Sequence, residues 1–451
     1  MRYSNFEKTL PRDPEKSKKQ RKRIIIWTAI LLFIAAIYTI GYFIYSPETR
    51  ESRALRIERE RTRFWDSITQ EDILYDIDYM LYVLEHNFPF LDSIYDRYGV
   101  DMLELGKELR VTFEDEAFNP DMHEFVTLVD GFLFQAHRTG HLRVWSRDRL
   151  AFSSTWRENA DLTPQTLEFY GEVDRIDTQE ARPFRDVPYI IRTDIIEEDR
   201  VGYMQIRNMY PLQGSDYDII RPFFEEIAEF EHLIIDLRDN SGGYANALFY
   251  MMSPLMKRNA RATFHLFFPQ EELIFAHIKN EGLDRESTHI RIQDFYDPVA
   301  ESRIRRTLIG VSRDEADWMR ELHTESEYFI TFEILGYLRA RTTLQTGFDG
   351  QIWLLTDGDT YSAAEWMTAI MGMNNTIIVG ERTGGVFGVP SIWPVVFALP
   401  NTGMLIEFDF AHVYDRQGRR ISDGIDPDYW NRPGMDALET TLALINEGAY
   451  R

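Results

Sequence analysis

The chain has 451 residues, enough for two or three domains or for one large domain with an insertion. It contains no cysteine, which excludes disulfides, thiolate metal sites, a cysteine nucleophile and lipid-modified cysteine. The formal net charge of −24 argues against nucleic acid as a partner, because phosphate binding requires a clustered basic face.

The first 23 residues form a basic segment, with nine Lys and Arg side chains against three acidic ones. An uncharged apolar run follows at residues 24–45. At about 1.5 Å per residue, a helix of this length spans a hydrocarbon core of roughly 30 Å. Because basic flanks stay in the cytoplasm, the sequence predicts a cell-membrane protein with a single-pass anchor and a cytoplasmic N-terminus. Residues 46–451 are then expected outside the membrane, and the lack of a clear A-x-A site favours an uncleaved anchor over a signal peptide.

The part that follows the anchor is predicted to be helical. Residues 46–63 are dense in both charge signs, which is typical of an exposed stalk. Over residues 64–140, apolar residues such as Ile73, Ile77 and Leu81 recur at the spacing of amphipathic helices. The sequence therefore predicts a helical N-terminal subdomain at 64–140.

Strand and helix patterns then alternate, which predicts an α/β fold with a largely buried sheet. The predicted strands are Leu142–Trp145, Tyr189–Arg192, Val201–Ile206, His232–Arg238, Ile352–Leu355 and Thr376–Val379. Helices are predicted at Asp218–Glu229 and Ala363–Met373. The core is expected in two parts, residues 141–261 and 346–451. Between them, residues 262–345 are rich in charge and in helix formers, and we expect an inserted subdomain that acts as a lid.

A serine stands where a predicted strand gives way to a helix, in the segment Thr356–Glu365 with the sequence TDGDTYSAAE. A serine hydroxyl needs a base to take its proton, and a helix N-terminus supplies N–H groups that stabilise an oxyanion. Ser362 is therefore a candidate nucleophile. Ser362 and Glu365 also fit a capping box, which is the commoner meaning of this pattern.

Paired glycines end a second polar turn, in the segment Leu233–Gly243 with the sequence LIIDLRDNSGG. Glycines allow a backbone N–H to approach a substrate carbonyl without a side chain in the way. Gly242 and Gly243 are therefore candidates for an oxyanion hole. A tight turn after a core strand is the alternative interpretation.

Four motifs follow one another in the order found in a known family. The two segments above precede Val379–Gly385 (VGERTGG) and Asp423–Asp428 (DGIDPD). Together they resemble the tail-specific, or C-terminal-processing, serine proteases of peptidase family S41. The resemblance covers about residues 64–430 and is strongest to the branch of the tricorn core and the interphotoreceptor retinoid-binding protein. It implies a crotonase- and ClpP-like α/β core behind a helical N-terminal subdomain.

The resemblance also implies roles for individual residues. Ser362 is the nucleophile, and the oxyanion hole comes from the N–H groups of Ala363 and of a glycine in the Gly242–Gly243 pair. Many members of the family use a lysine base about two dozen residues after the serine. No lysine follows Lys279, so this dyad is excluded here.

The other base found in the family is a histidine from the N-terminal subdomain, and His141, in the segment HRTGHLRV, falls on that position. Imidazole has an unperturbed pKa of about 6.5, so it can take and return a proton near neutrality. His137, one helical turn earlier, is the competitor. Asp423 is expected to orient the imidazole, at a position where the family commonly has Glu, with Asp426 and Asp428 as alternatives.

Two further observations concern the segment around His141. His137 and His141 lie four residues apart but lack the glutamate of an H-E-x-x-H motif and a third ligand, so no metal or other cofactor is expected. Gly140 stands where the tricorn-type site has a serine, which is a departure from the pattern of that branch.

The sequence as a whole predicts a membrane-anchored serine peptidase that cleaves extended or unfolded polypeptides outside the cytoplasmic membrane. The expected chemistry is a Ser-His-Asp mechanism through an acyl-enzyme, without a cofactor. The alternatives are an inactive ligand-binding homologue of the same fold and an envelope scaffold whose residues 262–345 bind a partner. The sequence indicates no particular oligomeric state.

Overall fold

The computed structural model describes residues 50–450 except for several internal segments. The internal residues outside the description are 116, 153–161, 173–190, 211, 213, 244, 253, 257–260, 270, 281–289, 297–327, 336–347 and 386–393. The chain divides into two compact units, residues 1–60 and residues 61–451. No helix in the described part is both long and apolar enough to cross a bilayer. The predicted anchor at 24–45 lies outside the described residues, so it stays a prediction.

The described elements alternate between helices and strands after a helical beginning. The helices are α1 (Arg50–Trp65), α2 (Gln70–Asn87), α3 (Leu91–Tyr98), α4 (Met102–Glu114), α5 (Met122–Phe134), α6 (Arg147–Phe152), α7 (Pro164–Tyr170), α8 (Gly214–Glu226), α9 (Ala245–Met252), α10 (Glu272–Asn280), α11 (Ala363–Gly372) and α12 (Ala437–Glu447). The strands are β1 (Arg143–Val144), β2 (Ile191–Glu197), β3 (Val201–Ile206), β4 (His232–Asp236), β5 (Arg261–Phe268), β6 (Ile290–Tyr296), β7 (Tyr328–Leu335), β8 (Gln351–Thr356), β9 (Thr376–Gly380), β10 (Val395–Ala398), β11 (Leu405–Phe408), β12 (His412–Tyr414) and β13 (Tyr429–Trp430). Two short 3₁₀ helices lie at Thr139–His141 and Ile421–Asp423.

The largest sheet has the strand order β13-β9-β8-β4-β3-β2. Its strands are parallel except β2, which pairs antiparallel with β3 at the edge. Every residue of β4 and β9 is buried, as expected for parallel strands covered on both faces. Ile234 and Trp353 pack in one cluster with residues of α12, whereas Ile235 and Leu354 belong to the larger core that includes α11. The fold is thus a mixed α/β fold, as the sequence predicts.

Two smaller antiparallel sheets have the orders β1-β11-β10 and β12-β5-β7-β6. The second contains the described strands of residues 262–345, and the other described element of this segment is helix α10; the composition is rich in helix formers. Strand β5 is buried on both faces, pairs with β12 so that Leu266 lies opposite Val413, and places Phe264 4.6 Å from the Trp366 ring of α11. The threonine and three phenylalanines of β5 are residue types enriched in strands, which favours a strand over the helix suggested by the composition of the whole segment. The lid role of this segment stays a prediction.

Helices α2 to α5 occupy residues 70–134 and are attached to the sheets by a buried carboxylate. Asp76 of α2 accepts hydrogen bonds from Thr402 N and Oγ1, both at 2.7 Å, and from Asn401 N at 2.9 Å. Burial raises the pKa of Asp76 above its usual range. These bonds fix the helices to the turn between β10 and β11, and the residues just after β11 belong to the candidate site.

Candidate active site

Three polar turns meet at one edge of the parallel sheet. They follow β4, β8 and β9 and comprise residues 237–243, 357–362 and 381–385. The carboxyl ends of parallel strands lie at the same edge, and this is where ligands bind in open α/β sheets. The candidate serine and the glycine pair therefore belong to neighbouring turns.

Buried hydrogen bonds join the glycine turn to the serine turn. Thr360 Oγ1 donates to Leu237 O at 3.0 Å, and Tyr361 N donates to Asn240 O at 2.9 Å. Asn240 is fully buried, and its side-chain amide donates to Ile206 O at 2.7 Å. Because these groups are shielded from water, the two turns form one rigid unit.

Ser362 lies between the serine turn and α11, which begins at Ala363. Its backbone has φ +52° and ψ −117°, a conformation that is strained for any residue other than glycine. The nucleophile of the α/β-hydrolases also sits on a strained strand-to-helix turn. The Ala363 N–H is at the helix N-terminus, where the helix dipole favours negative charge.

Gly242 makes direct contact with the serine. A Cβ at this position would lie 2.7 Å from Ser362 Cβ and 2.8 Å from Ala363 N, and φ is +82°, so only glycine fits. The Gly242 N–H donates to Asn240 Oδ1 at 2.9 Å and is therefore already occupied. Gly243 is an exposed residue, and its N–H has no acceptor among the described residues. Of the two predicted glycines, Gly243 is therefore the better candidate for an oxyanion donor.

His141 ends a tight turn whose backbone is left-handed at four positions. These have φ between +50° and +64° and are His137, Arg138, Gly140 and His141. A Cβ on Gly140 would lie 2.5 Å from the Phe90 ring. The left-handed backbone and this contact together favour glycine at position 140.

A carboxylate binds the His141 ring. His141 Nδ1 lies 2.6 Å from Asp409 Oδ2, and the Asp409 N–H donates to Gly140 O at 2.6 Å. The Asp409 side chain is only 7% exposed, whereas that of His141 is 17% exposed. An ionised carboxylate can only accept, so Nδ1 is the donor in this contact, and in the neutral ring Nε2 then has the free lone pair. This is the arrangement of a histidine base with its orienting acid.

Asp409 is not part of any of the four sequence motifs described above. Its only signal in the sequence is an acidic residue in the apolar run MLIEFDFA, where strand β11 ends. An acid in such a run must find a partner when it is buried, so it is a candidate for a functional or ion-pair role. The sequence does not specify that the partner is a histidine 268 residues earlier.

Asp423, the acid expected on His141, has other partners. Its Oδ1 accepts from Ser93 Oγ at 3.0 Å, and its Oδ2 accepts from Arg420. Asp423 also acts on His412, whose pKa it raises against the larger lowering effects of burial and Arg420. A contact between Asp423 and His141 is absent from the described contacts, and Asp409 occupies that position instead.

The other candidates from the sequence, Asp428, Asp426 and His137, also have other partners. Asp428 Oδ2 accepts from Ile378 N at 2.8 Å, and Asp426 lies 3.6 Å from Arg382 Nε. His137 is exposed and stacks on a tyrosine ring at 4.1 Å. No group of His, Asp and Glu in the described part of the chain is arranged to hold a metal ion.

The histidine turn and the serine turn approach the same region. The pKa of the Tyr361 hydroxyl is raised, chiefly by burial, with smaller contributions from Asp359 and Tyr98. Arg138, in the histidine turn, acts on the same hydroxyl in the opposite direction. Tyr361 directly precedes the serine, so charge in the histidine turn acts on the serine turn. No hydrogen bond joins Ser362 to the histidine among the described contacts, and such bonds are often long before substrate binds.

A serine on a strained strand-to-helix turn, an adjacent glycine turn and a buried histidine–aspartate pair are elements found in serine hydrolases. The model of peptidase family S41 matches residues 200–430, just over half of the chain. The chain belongs to peptidase family S41, and it is a serine-type peptidase, because the members of this family are serine hydrolases. The resemblance seen in the sequence is thereby confirmed. The matched segment contains Ser362, Gly242 and Asp409, whereas His141 precedes it.

Several solved structures are similar to the chain at low sequence identity. A candidate peptidase of Parabacteroides merdae ATCC 43184 is 16% identical, with a TM-score of 0.47 over 84% of this chain and 97% of that one. Mature CPAF in complex with lactacystin is 13% identical, with a TM-score of 0.47 over 80% and 93%. The photosystem II D1 C-terminal processing protease is 13% identical, with a TM-score of 0.38 over 81% and 94%. No curated protein sequence matches the chain. Family membership rests on the family model alone.

Proposed function

We propose that this S41 peptidase hydrolyses peptide bonds with Ser362 as nucleophile, His141 as general base and Asp409 as the acid that orients the imidazole. The observation that carries the proposal is the 2.6 Å contact between His141 Nδ1 and Asp409 Oδ2, which leaves Nε2 available for a proton. It replaces Asp423 of the sequence prediction by Asp409. The strained backbone of Ser362 supports its role as the nucleophile.

In the proposed reaction, His141 Nε2 takes the proton of the Ser362 hydroxyl while Oγ bonds to the carbonyl carbon of the substrate. The carbonyl oxygen becomes an oxyanion, which accepts hydrogen bonds from the N–H groups of Ala363 and Gly243. The imidazolium then gives its proton to the leaving amine, and the C–N bond breaks. Water, deprotonated by the same imidazole, attacks the acyl carbon, and the imidazolium gives the proton to Ser362 Oγ as the C–Oγ bond breaks and the second product leaves.

Two further parts of the proposal concern the type of core and the membrane anchor. A parallel sheet with a helix N-terminus at its carboxyl edge supports the crotonase- and ClpP-like core. The basic segment before the apolar run at 24–45 supports a membrane anchor and a catalytic part outside the cytoplasm. The substrate class follows from the family, and we infer an extended or unfolded polypeptide outside the membrane.

The test uses the full chain, solubilised in detergent, with unfolded casein as substrate and a fluorophosphonate as a serine-directed label. Ser362→Ala is expected to abolish labelling and to lower cleavage by about 10⁴-fold or more. Ser241→Ala is the matched control, because Ser241 is exposed in the adjacent glycine turn. Equal labelling of the wild type and of Ser362→Ala would contradict the assignment, and absence of both labelling and cleavage in the wild type would favour an inactive, ligand-binding homologue.

A further inference from the structure

Glu365 is a fully buried glutamate one turn after the serine, in α11. A buried carboxylate is strongly destabilising unless hydrogen bonds satisfy it. In an ordinary capping box, such a glutamate binds only the N–H at the start of its own helix. Here Oε2 accepts from the Ser362 N–H at 3.3 Å, but Oε1 accepts from outside the helix. Its partners there are Thr383 Oγ1 at 2.6 Å and Gly385 N at 2.8 Å.

These bonds connect the turn that follows β9 to the serine. Thr383 Oγ1 accepts from Ile425 N at 2.7 Å, and Thr383 N donates to Ile425 O at 3.1 Å. The next residue, Gly384, donates its N–H to Thr360 O at 3.0 Å. Hydrogen bonds thus join this turn to Ile425, Thr360 and Glu365. Glu365 also accepts a hydrogen bond from the strained amide of Ser362.

We propose that Glu365 is a positioning residue for the nucleophile. One carboxylate oxygen holds the Ser362 amide, and the other holds the turn at Thr383 and Gly385. The carboxylate thereby keeps the backbone of the serine in its strained conformation. This inference rests on the proposed role of Ser362, and it assigns to the SAAE motif more than helix capping.

A glutamine at position 365 makes the two ends of the side chain chemically different, because one carboxylate oxygen is replaced by an NH₂ group. Its amide has one acceptor and one donor end, whereas the Ser362, Thr383 and Gly385 groups are all donors. Orienting the oxygen toward Thr383 and Gly385 satisfies two of them and sets an NH₂ group against the Ser362 amide. Glu365→Gln is therefore expected to release the serine while keeping most of the surrounding bonds.

The test compares the second-order rate of fluorophosphonate labelling with the melting temperature. Thr383→Val removes the hydroxyl that binds Glu365, and Thr383→Ser retains it. Thr368→Val is the matched control, because Thr368 is equally buried in α11 but donates only to Ala364 O of its own helix, at 2.9 Å. Labelling is measured well below the melting temperature of every variant.

Glu365→Gln and Thr383→Val are expected to label about 10- to 100-fold more slowly, the factor for losing one hydrogen bond to a charged group. Thr383→Ser and Thr368→Val are expected to label at nearly the wild-type rate. If Thr383→Val labels like Thr368→Val at a similar loss of melting temperature, Glu365 is merely structural and the inference is overturned; this holds even if Glu365→Gln fails to fold. A wild type that is not labelled at Ser362 overturns the proposed function, and the positioning role with it.

Discussion

The serine turn and the histidine turn carry the two halves of the proposed site but are built by different means. Ser362 stands at the carboxyl edge of a parallel sheet, where buried strands, a helix N-terminus and glycines fix the backbone. His141 stands in a left-handed turn that depends on Asp409, a residue far away in the chain. The first half is a local consequence of strand and helix order, whereas the second requires long-range packing.

The difference has a consequence for what each half tolerates. The serine turn is held by several backbone hydrogen bonds and by the Glu365 carboxylate, so a single substitution is expected to shift the serine while most of the turn keeps its geometry. The histidine ring is held by one carboxylate among the described contacts, so a single substitution is expected to release it. In the histidine half, a substitution is therefore expected to free the ring and lower activity alone. In the serine half, a substitution is expected to move the backbone as well.

The largest effect is expected for Asp409→Asn. An amide can present its NH₂ group to Nδ1, which would place the ring proton on Nε2, the wrong tautomer for a base. The rate of casein cleavage is expected to fall by about 10⁴-fold, while the melting temperature changes little. Cleavage kinetics together with thermal unfolding measure both quantities.

Asp423→Asn is the comparison for that variant, because Asp423 is the acid that the sequence suggested. It binds Ser93 and Arg420, so its loss should lower stability by about 1–3 kcal/mol and the cleavage rate by less than tenfold. The reverse result, a 10⁴-fold loss with Asp423→Asn and none with Asp409→Asn, would restore the sequence-based assignment.

A somewhat smaller effect is expected in the serine half, for Gly242→Ala. Its Cβ would overlap Ser362 Cβ and approach Ala363 N, displacing an oxyanion donor. Labelling by fluorophosphonate is expected to slow by about 10²- to 10³-fold, the range for losing such a donor. Gly358→Ala is the matched control, since a Cβ at this exposed position of the neighbouring serine turn meets no atom within 4 Å. Equal rates for the two variants would contradict the close approach of the glycine turn to the serine turn.

The smallest effect concerns acid stability on the histidine side. His412 of β12 packs against Phe90, and burial, with Arg420 second, lowers its pKa to about 4. The unfolded chain binds the proton near the ordinary pKa of about 6.5. The free energy of unfolding is therefore highest above about pH 6.5. It falls by up to about 3 kcal/mol as the pH drops toward 4, because the unfolded chain then binds a proton that the folded chain does not.

Denaturant unfolding between pH 7 and pH 4 measures this loss. His412→Gln is expected to flatten the dependence on pH, whereas His86→Gln, at an exposed position of α2, should leave it unchanged. A wild type whose unfolding free energy is constant over this range would show that His412 binds its proton in the folded state.

The sequence predicts the serine half well, for physical reasons. Strand β3 has the bounds read from its apolar pattern, and α11 begins at the predicted Ala363. Both signals are local, because a continuous apolar run and a helix cap depend on neighbouring residues. The polar turns between such elements then follow from the chain order of a parallel sheet.

The histidine half is harder to predict from the sequence. Asp409 follows a buried strand without any motif, and its pairing with His141 depends on how β11 packs against the turn at residues 137–141. Likewise, β5 pairs with β7 and β12, which are both far from it in the chain. Contacts between distant segments leave no periodic signal in either case.

The most direct test of the whole account is the rate of fluorophosphonate labelling at Ser362 as a function of pH, in the wild type and in His141→Gln. If the two halves form one site, the wild-type rate rises with a single ionisation, and His141→Gln labels at least about 10³-fold more slowly without that inflection. If His141→Gln labels at the wild-type rate with the same dependence on pH, His141 is not the base and the two turns do not form one catalytic site.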